Sequence, residues 1–304
     1  MPKVSNPYAI LMAGQLSERA GMGVPLRSDP VFRGLADEFE ALTAGRFERL
    51  VTQASQEELS QAFTAPSAMV LYDLLCGHAA CRKWGAPAAV TGYSLGFYAA
   101  AVLAGCTTAA VILRWLSQVN DSNRRTFAPG QFRLAAVTGL SVGEMQVSLA
   151  VRGLEGVRIA NINNARQLVI AGPSEEMEVA LERLKAVALD VRDLPLDIPL
   201  HTEHIEPARQ EVAPWWASVT TSDPTLTLVS PVDGELISDG DSFKSHMLTS
   251  LVSPTNWQAV VARLKNLNIR RALDVSPGGE LGRMARWTDR ELDVIPVSAL
   301  WAVD

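Results

Sequence analysis

The stretch Ala88-Ala89-Val90-Thr91-Gly92-Tyr93-Ser94-Leu95-Gly96-Phe97-Tyr98-Ala99-Ala100-Ala101 decides how the chain folds. Residues 88–91 follow Pro87 and read as a short buried strand. The pattern G-x-S-x-G comes at once, and Phe97 to Ala104 then reads as an Ala-rich helix closed by Gly105, a good helix terminator. Strand, tight turn and helix in that order frame a nucleophile elbow. The glycines let the turn pack without Cβ clashes, and the turn lifts the Ser94 hydroxyl off the sheet. The Leu95 N–H and the helix N-terminus then face any oxyanion that forms there. A Gly-rich helix start with a plain capping serine has the same letters. The strand before it and the helix after it favour the elbow.

Upstream, Tyr8 to Met12 is an apolar run ending at Ala13-Gly14, a buried strand entering a loop. Phe32, Leu35 and Phe39 recur at helical spacing within 30–50, and Ala65 to Lys83 is helical with Pro66 in its first turn. Ala109 to Asn120 is the second helix after the elbow. The pattern breaks between Asn123 and Gln131. Beyond it come a strand (133–138), a helix (141–152), two strands (157–161 and 167–171), a helix (174–188) and a strand (191–196). That β-α-β-β-α-β order is ferredoxin-like, with two helices on one face of a four-stranded sheet. After Leu200 the α/β pattern resumes, with strands at 226–232, 271–275 and 294–297 and a helix at 257–267. The expected organisation is a large α/β unit, 1–127 and 198–304, with a ferredoxin-like unit, 128–197, inserted in it.

A length of 304 residues suits two such units, and 48% hydrophobic with 20% charged residues excludes a disordered chain. Net charge −6 argues against nucleic acid as a partner. Three cysteines, Cys76, Cys81 and Cys106, fit a reducing compartment. No run reaches the roughly 18 apolar residues of a membrane span, and Met1 to Pro7 shows no secretory leader. A cytoplasmic chain away from membranes is expected. Cys76-x-His78-x-x-Cys81 falls on a helix without a fourth ligand, so no metal site is expected.

A serine needs a base at neutral pH. Of the four histidines, His78 lies inside a helix and His246 stands beside Lys244 and Ser245 in a segment read as solvated. His201 follows Pro199-Leu200 where the small unit returns to the large one, and clefts between units are common ligand sites. His204, three residues on, is an expected surface neighbour.

Several motifs, in order along nearly the whole chain, resemble those of the malonyl-CoA:acyl carrier protein transacylase family. Gly14-Gln15-Leu16-Ser17-Glu18 is similar to its G-Q-G-S-Q, Thr64-Ala65-Pro66-Ser67 to its T-Q-P-A, and Gly92–Gly96 to its G-H-S-L-G. Asn161-Ile162-Asn163 through Gly172 resembles N-x-N-S-P-G-Q-x-V-I-x-G, Pro199-Leu200-His201 through Pro207 resembles P-F-H-S-x-x-M-x-P, and Asp274 to Gly278 resembles E-x-G-P-G. The resemblance implies a hydrolase-like α/β domain carrying a ferredoxin-like one. It implies a Ser94–His201 dyad, acylation of Ser94, and transfer to an acyl carrier protein. The Leu95 and Glu18 N–H groups would form the oxyanion hole, and the Ser250 carbonyl would orient the histidine. Gln15, Tyr93, Val119, Asn163 and Leu200 would contact substrate. Acyl-CoA and the carrier's phosphopantetheine would be substrates, with no further cofactor, and the chain would act as a monomer.

The departures matter as much. Malonyl-specific members hold an arginine that pairs with the free carboxylate, and ungapped counting puts Val119 there. A valine cannot satisfy a buried carboxylate, so a non-carboxylated acyl group is expected. A local gap would instead let Arg114, Arg124 or Arg125 reach in, keeping a malonyl transferase with a relocated arginine open. An acyl-carrier-protein thioesterase on the same fold is a further alternative. Tyr93 and Phe97 replace a family His and a common Glu. Arg270-Arg271 and Arg283 with Arg286 could be plain solvated surface or a patch facing an acidic carrier protein.

Overall fold

A computed structural model describes residues 7–43, 47–59, 65–150 and 152–302. Thr64 of the second motif and the segment before Pro7 lie outside the described residues. The chain begins with β1 (Tyr8–Met12), α1 (Pro30–Thr43), α2 (Phe47–Thr52), α3 (Gln56–Leu59), α4 (Ala65–Trp84), β2 (Ala89–Gly92), α5 (Gly96–Leu103) and α6 (Ala109–Thr126). It continues with β3 (Phe132–Thr138), α7 (Val142–Leu149), β4 (Arg158–Asn164), β5 (Gln167–Pro173), α8 (Ser174–Leu184) and β6 (Asp190–Leu194). The last part holds α9 (Glu206–Ser218), β7 (Leu228–Val229), β8 (Leu236–Ile237), α10 (Gly240–Val252), β9 (Thr255–Asn256), α11 (Trp257–Asn266), β10 (Arg271–Asp274), α12 (Glu280–Thr288) and β11 (Asp293–Pro296).

The large sheet has the order β11-β10-β1-β2-β7-β8, parallel except for the β7–β8 pair. Every residue of β1 and β2 is buried, which explains their unbroken apolar character: helices cover both faces. From β1 the chain proceeds to β2 and β7 on one side, then returns to β10 and β11 on the other. Ligands of such sheets bind at the carboxyl ends of strands where the order reverses. Met12 pairs with Gly92 at that end, so the loops after β1 and β2 emerge side by side.

The small sheet runs β6-β3-β5-β4, antiparallel throughout, and Ala135, Val137, Met145, Leu168, Ile170, Met177 and Leu181 form its core beneath α7 and α8. This is the expected ferredoxin-like arrangement with one addition. Two residues of β9, from the large domain, pair in parallel with β4 as Asn161 with Thr255 and Ile162 with Asn256. The sheet therefore has five strands rather than four, and it is tied to the segment that follows α10.

Three other expectations are corrected. The strand expected over 226–232 is the two-residue β7, turned back at once into β8. The expected helix over 30–50 is α1 and α2 separately. The helix expected to end at Asn120 continues to Thr126, so Arg124 and Arg125 form its last turn. Tertiary contacts extend it: Ser122 Oγ bonds the Ala208 carbonyl and the Glu211 carboxylate of α9, and Arg125 pairs with the same Glu211. Two arginines at a helix C-terminus also suit its dipole.

Candidate active site

The elbow is built by its glycines. A Cβ on Gly96 would lie 2.4 Å from the Met12 carbonyl oxygen, and one on Gly92 would lie 2.0 Å from the Gly96 backbone. No side chain fits either place, so α5 starts directly against the end of β1. The strain falls on Ser94, whose φ is +51°. Only four non-glycine residues among those described have positive φ: Leu16 (+72°), Ser94, His201 (+65°) and Asn268. Asn268 follows the end of α11. The other three are the elbow serine, the junction histidine and a residue of the loop after β1. Strain of this kind, about 1–3 kcal/mol per residue, persists where the surroundings over-determine it and clusters at functional sites.

Ser94 Oγ and His201 Nε2 are 2.7 Å apart, although 107 residues separate them in sequence. His201 Nδ1 lies 2.8 Å from the Ser250 carbonyl oxygen, near the end of α10. The His201 N–H donates to the Leu251 carbonyl, so the ring and its backbone hang from the same turn. A carbonyl accepts only, so Nδ1 carries the proton and Nε2 presents a lone pair to the serine. Burial pushes the imidazole below its ordinary range, with the Ser250 and Ser253 carbonyls pulling the other way. The ring is thus neutral near pH 7, as a general base must be. The expected pH profile follows from the sign. Acylation rates should rise as His201 loses its proton, with the acid inflection below the ordinary imidazole value of about 6.5. Initial acylation rates measured from pH 4.5 to 8 check this, and an inflection above 6.5 contradicts it.

Leu95 and Glu18 bring their N–H groups to the same end of the sheet. Neither donates to a backbone carbonyl, and the Glu18 carboxylate faces its own N–H and that of Leu16. The Glu18 carbonyl is held by Arg19 Nη1 at 2.8 Å and Gln56 Nε2 at 3.0 Å, which fixes that peptide. The Glu18 side chain is buried, its Oε1 has no partner among the described residues, and burial raises its pKa.

Of the remaining expected residues, Tyr93 and Asn163 meet each other. Tyr93 Oη donates to Asn163 Oδ1 at 2.6 Å, joining the elbow to β4 of the small domain. Its ring stands edge-on to Trp257. These two groups satisfy each other and join the domains. Gln15 and Leu200 are half-buried, the latter packed with Ile198 against the main core. Val119 is half-buried against that same core, while Arg114, Arg124 and Arg125 are all exposed and Arg125 is held by Glu211.

Two histidine expectations are corrected. His246 is 8% exposed, not solvated, and its ring packs 4.6 Å from that of Phe97. His204 is no free surface group: its Nε2 lies 2.6 Å from the Gly156 carbonyl, and its ring packs on Phe132. Both contacts reach into the small domain. Sequence reasoning also passed over Asp73, fully buried on α4, whose Oδ1 accepts the Ala13 N–H at the root of the loop after β1. It passed over the inward role of Asp274 too. That carboxylate takes the Ser276 N–H at 2.9 Å and the Gly282 N–H at 2.7 Å, fixing the turn into α12. An aspartate inside an apolar helix or closing a strand was the available signal.

A parallel α/β sheet, a strained serine at an elbow and a histidine on its hydroxyl define a serine-dependent acyl-transfer enzyme. A family model described as the acyl transferase domain matches residues 10–300, and the chain belongs to that family. It is an acyltransferase. It is 30% identical over 298 residues to the malonyl CoA-acyl carrier protein transacylase of Mycobacterium tuberculosis (strain ATCC 25618 / H37Rv), covering 96% of this chain and 95% of that one. The protein of the same name from Escherichia coli (strain K12) is 27% identical over 298 residues, with the same coverage. The solved structure of the malonyl CoA-acyl carrier protein transacylase from Coxiella burnetii superposes with a TM-score of 0.92 at 22% identity, covering 99% of this chain and 97% of that one. The acyl-carrier-protein S-malonyltransferase from Burkholderia pseudomallei 1710b gives 0.91 at 24%, covering 97% and 100%. At those identities the two structures speak for the fold alone.

Proposed function

We propose that this enzyme moves a non-carboxylated acyl group from a coenzyme A thioester to an acyl carrier protein through an ester on Ser94. The 2.7 Å contact between Ser94 Oγ and His201 Nε2 carries the chemistry. His201 takes the serine proton as Oγ attacks the thioester carbonyl. The Leu95 and Glu18 N–H groups receive the oxyanion, and the thiolate of coenzyme A leaves with the proton from His201. The same steps in reverse, with the carrier's pantetheine thiol attacking, return Ser94 to its free form. The carrier protein enters as acceptor because the curated relatives are named for it.

The acyl preference departs from those names. It rests on Val119 and on the outward placement of Arg114, Arg124 and Arg125. A carboxylate brought against a valine loses water and gains no partner. The test is a panel of acetyl-, butyryl-, hexanoyl- and malonyl-CoA, scored by mass spectrometry for acyl-Ser94, carrier product and free acid. Acetyl or a longer unbranched acyl group should load ahead of malonyl, with carrier product exceeding free acid. Malonyl loading first overturns the preference, and free acid as the main product overturns transfer.

A further inference from the structure

Strand β4 of the small domain is anchored to the large one at points that adjoin the catalytic groups. At its start, Arg158 Nε pairs with Glu203 Oε1, and the Gly156 carbonyl just before it lies 2.6 Å from His204 Nε2. Glu203 and His204 follow closely on His201. In its middle, Asn161 and Ile162 pair with Thr255 and Asn256 of β9, which comes shortly after the Ser250 carbonyl that holds the His201 ring. Near its end, Asn163 Oδ1 accepts the phenol of Tyr93 at 2.6 Å, directly before Ser94 in the chain. From Arg158 to Asn163 the strand runs about 17 Å. It therefore lies across base, orienting carbonyl and nucleophile together. The contact at Tyr93 is tightly built. A Cβ on Gly14 would lie 2.6 Å from Tyr93 Cδ1, and Trp257 stands edge-on with ring centroids 5.9 Å apart, so the ring is wedged in place. Asn163 is 7% exposed, and its Nδ2 donates to Gln167 Oε1 at 3.3 Å, which turns its carbonyl to the phenol. Burial raises the Tyr93 pKa, so the phenol remains a donor near neutral pH.

We infer that β4 is a splint across the dyad, that Tyr93 and Asn163 are the positioning residues closing it at the nucleophile, and that their bond keeps water from the acyl-Ser94 ester. The inference rests on the Ser94 ester of the reading above and extends it to what shields that ester. Without the phenol, the Asn163 carbonyl is a buried acceptor that has lost its donor, and a buried polar group in that state recruits water. That water enters beside the residue that carries the ester. His201 serves it as it serves a thiol. Water attacks the ester carbonyl as its proton passes to His201, the bond from the carbonyl carbon to Oγ breaks, Oγ takes the proton, and the free acid leaves. Transfer and hydrolysis thus part only at which nucleophile reaches the ester. A direct bond between elbow and small domain favours a thiol arriving from outside over a water lodged in the seam.

Two measurements test it, on the wild type, Tyr93→Phe, Asn163→Ala and the double variant. In the first, Ser94 is loaded from whichever of acetyl- and malonyl-CoA acylates it faster, the enzyme is desalted, and intact mass follows the acyl-enzyme in buffer without thiol. Tyr93→Phe keeps the wedged ring and removes only the bond, so decay should quicken about tenfold, the scale of a single buried hydrogen bond. Asn163→Ala breaks the same bond from its other side and carries the same expectation should Phe at 93 prevent folding. The double variant should be no faster than the faster single one. Tyr8→Phe loses a 2.7 Å phenol bond to the Gly85 carbonyl at the opposite end of β1, and it should decay at the wild-type rate. In the second, holo-acyl carrier protein is added to the loaded enzyme, and the ratio of free acid to carrier product should rise by a similar factor in the variants. Wild-type decay in both single variants, equal acceleration in Tyr8→Phe, or effects that multiply in the double variant overturn the splint and its shielding bond. Carrier product from the wild type together with unchanged decay in the variants does so while leaving transfer standing. Faster decay in the variants without carrier product from the wild type supports the shielding bond and overturns transfer. A Ser94 that no acyl-CoA loads overturns both.

Discussion

Ser94→Ala should abolish the acyl-enzyme and lower turnover by roughly four to six orders of magnitude, as loss of the nucleophile does in other serine enzymes. The argument is geometric. Ser94 is held at φ +51° by two glycines that leave no alternative path for the chain. Its Oγ is 2.7 Å from Nε2 of His201, whose tautomer is set by the Ser250 carbonyl. Alanine keeps the elbow and the apolar packing, so the variant should fold with a near-native melting temperature. His201→Ala should cost about as much, because nucleophile and base act as one unit, and the double variant should be little worse than either single one. Intact mass after incubation with acyl-CoA, together with steady-state rates, measures both. Persistent loading of Ser94→Ala, or losses that simply multiply in the double variant, would contradict the dyad.

The elbow, the junction histidine and the order of strands were legible because each is a local pattern. G-x-S-x-G has few backbone solutions between a strand and a helix, and apolar periodicity reports burial directly. What was illegible depends on partners far away in the chain. The last turns of α6 carry Asn120, Asp121, Asn123, Arg124 and Arg125, a polar run with no apolar repeat; α9 holds them through Glu211 and the Ala208 carbonyl. His246 looked solvated because of its neighbour Lys244. Yet the Lys244 carbonyl accepts the Trp216 indole N–H and its Nζ donates to the Ala217 carbonyl, so α9 and α10 pack through polar groups and bury the next turn. Strand β9 is two residues long and has no periodicity to read. The Tyr93–Asn163 bond spans 70 residues and two domains. Each residue, taken alone, suggests a substrate contact rather than a partner for the other.

Val119→Arg should turn the acyl preference toward malonyl. The wild-type position is apolar and packs with the core that also receives Ile198 and Leu200. A malonyl carboxylate entering there is desolvated without compensation. A hydrogen bond to a charged group contributes about 1.5–3 kcal/mol, and a bidentate arginine pair lies at the upper end. At about 1.4 kcal/mol per tenfold, restoring it should raise malonyl over acetyl by roughly 10–150-fold in relative kcat/KM. The gain depends on an unoccupied place for the guanidinium. None of the three neighbouring arginines competes for it: Arg114 and Arg124 are exposed, and Arg125 is bound to Glu211. Acetyl loading should fall only slightly, since acetyl makes no contact that arginine removes, whereas Val119→Leu should leave malonyl disfavoured and show that charge, not bulk, is responsible. Competition between equal concentrations of acetyl- and malonyl-CoA, read as the two acyl-Ser94 masses in the first seconds, measures the ratio. A wild-type enzyme already loaded mainly with malonyl, or a ratio unmoved by Val119→Arg in a protein of unchanged melting temperature, would remove Val119 from the account of specificity.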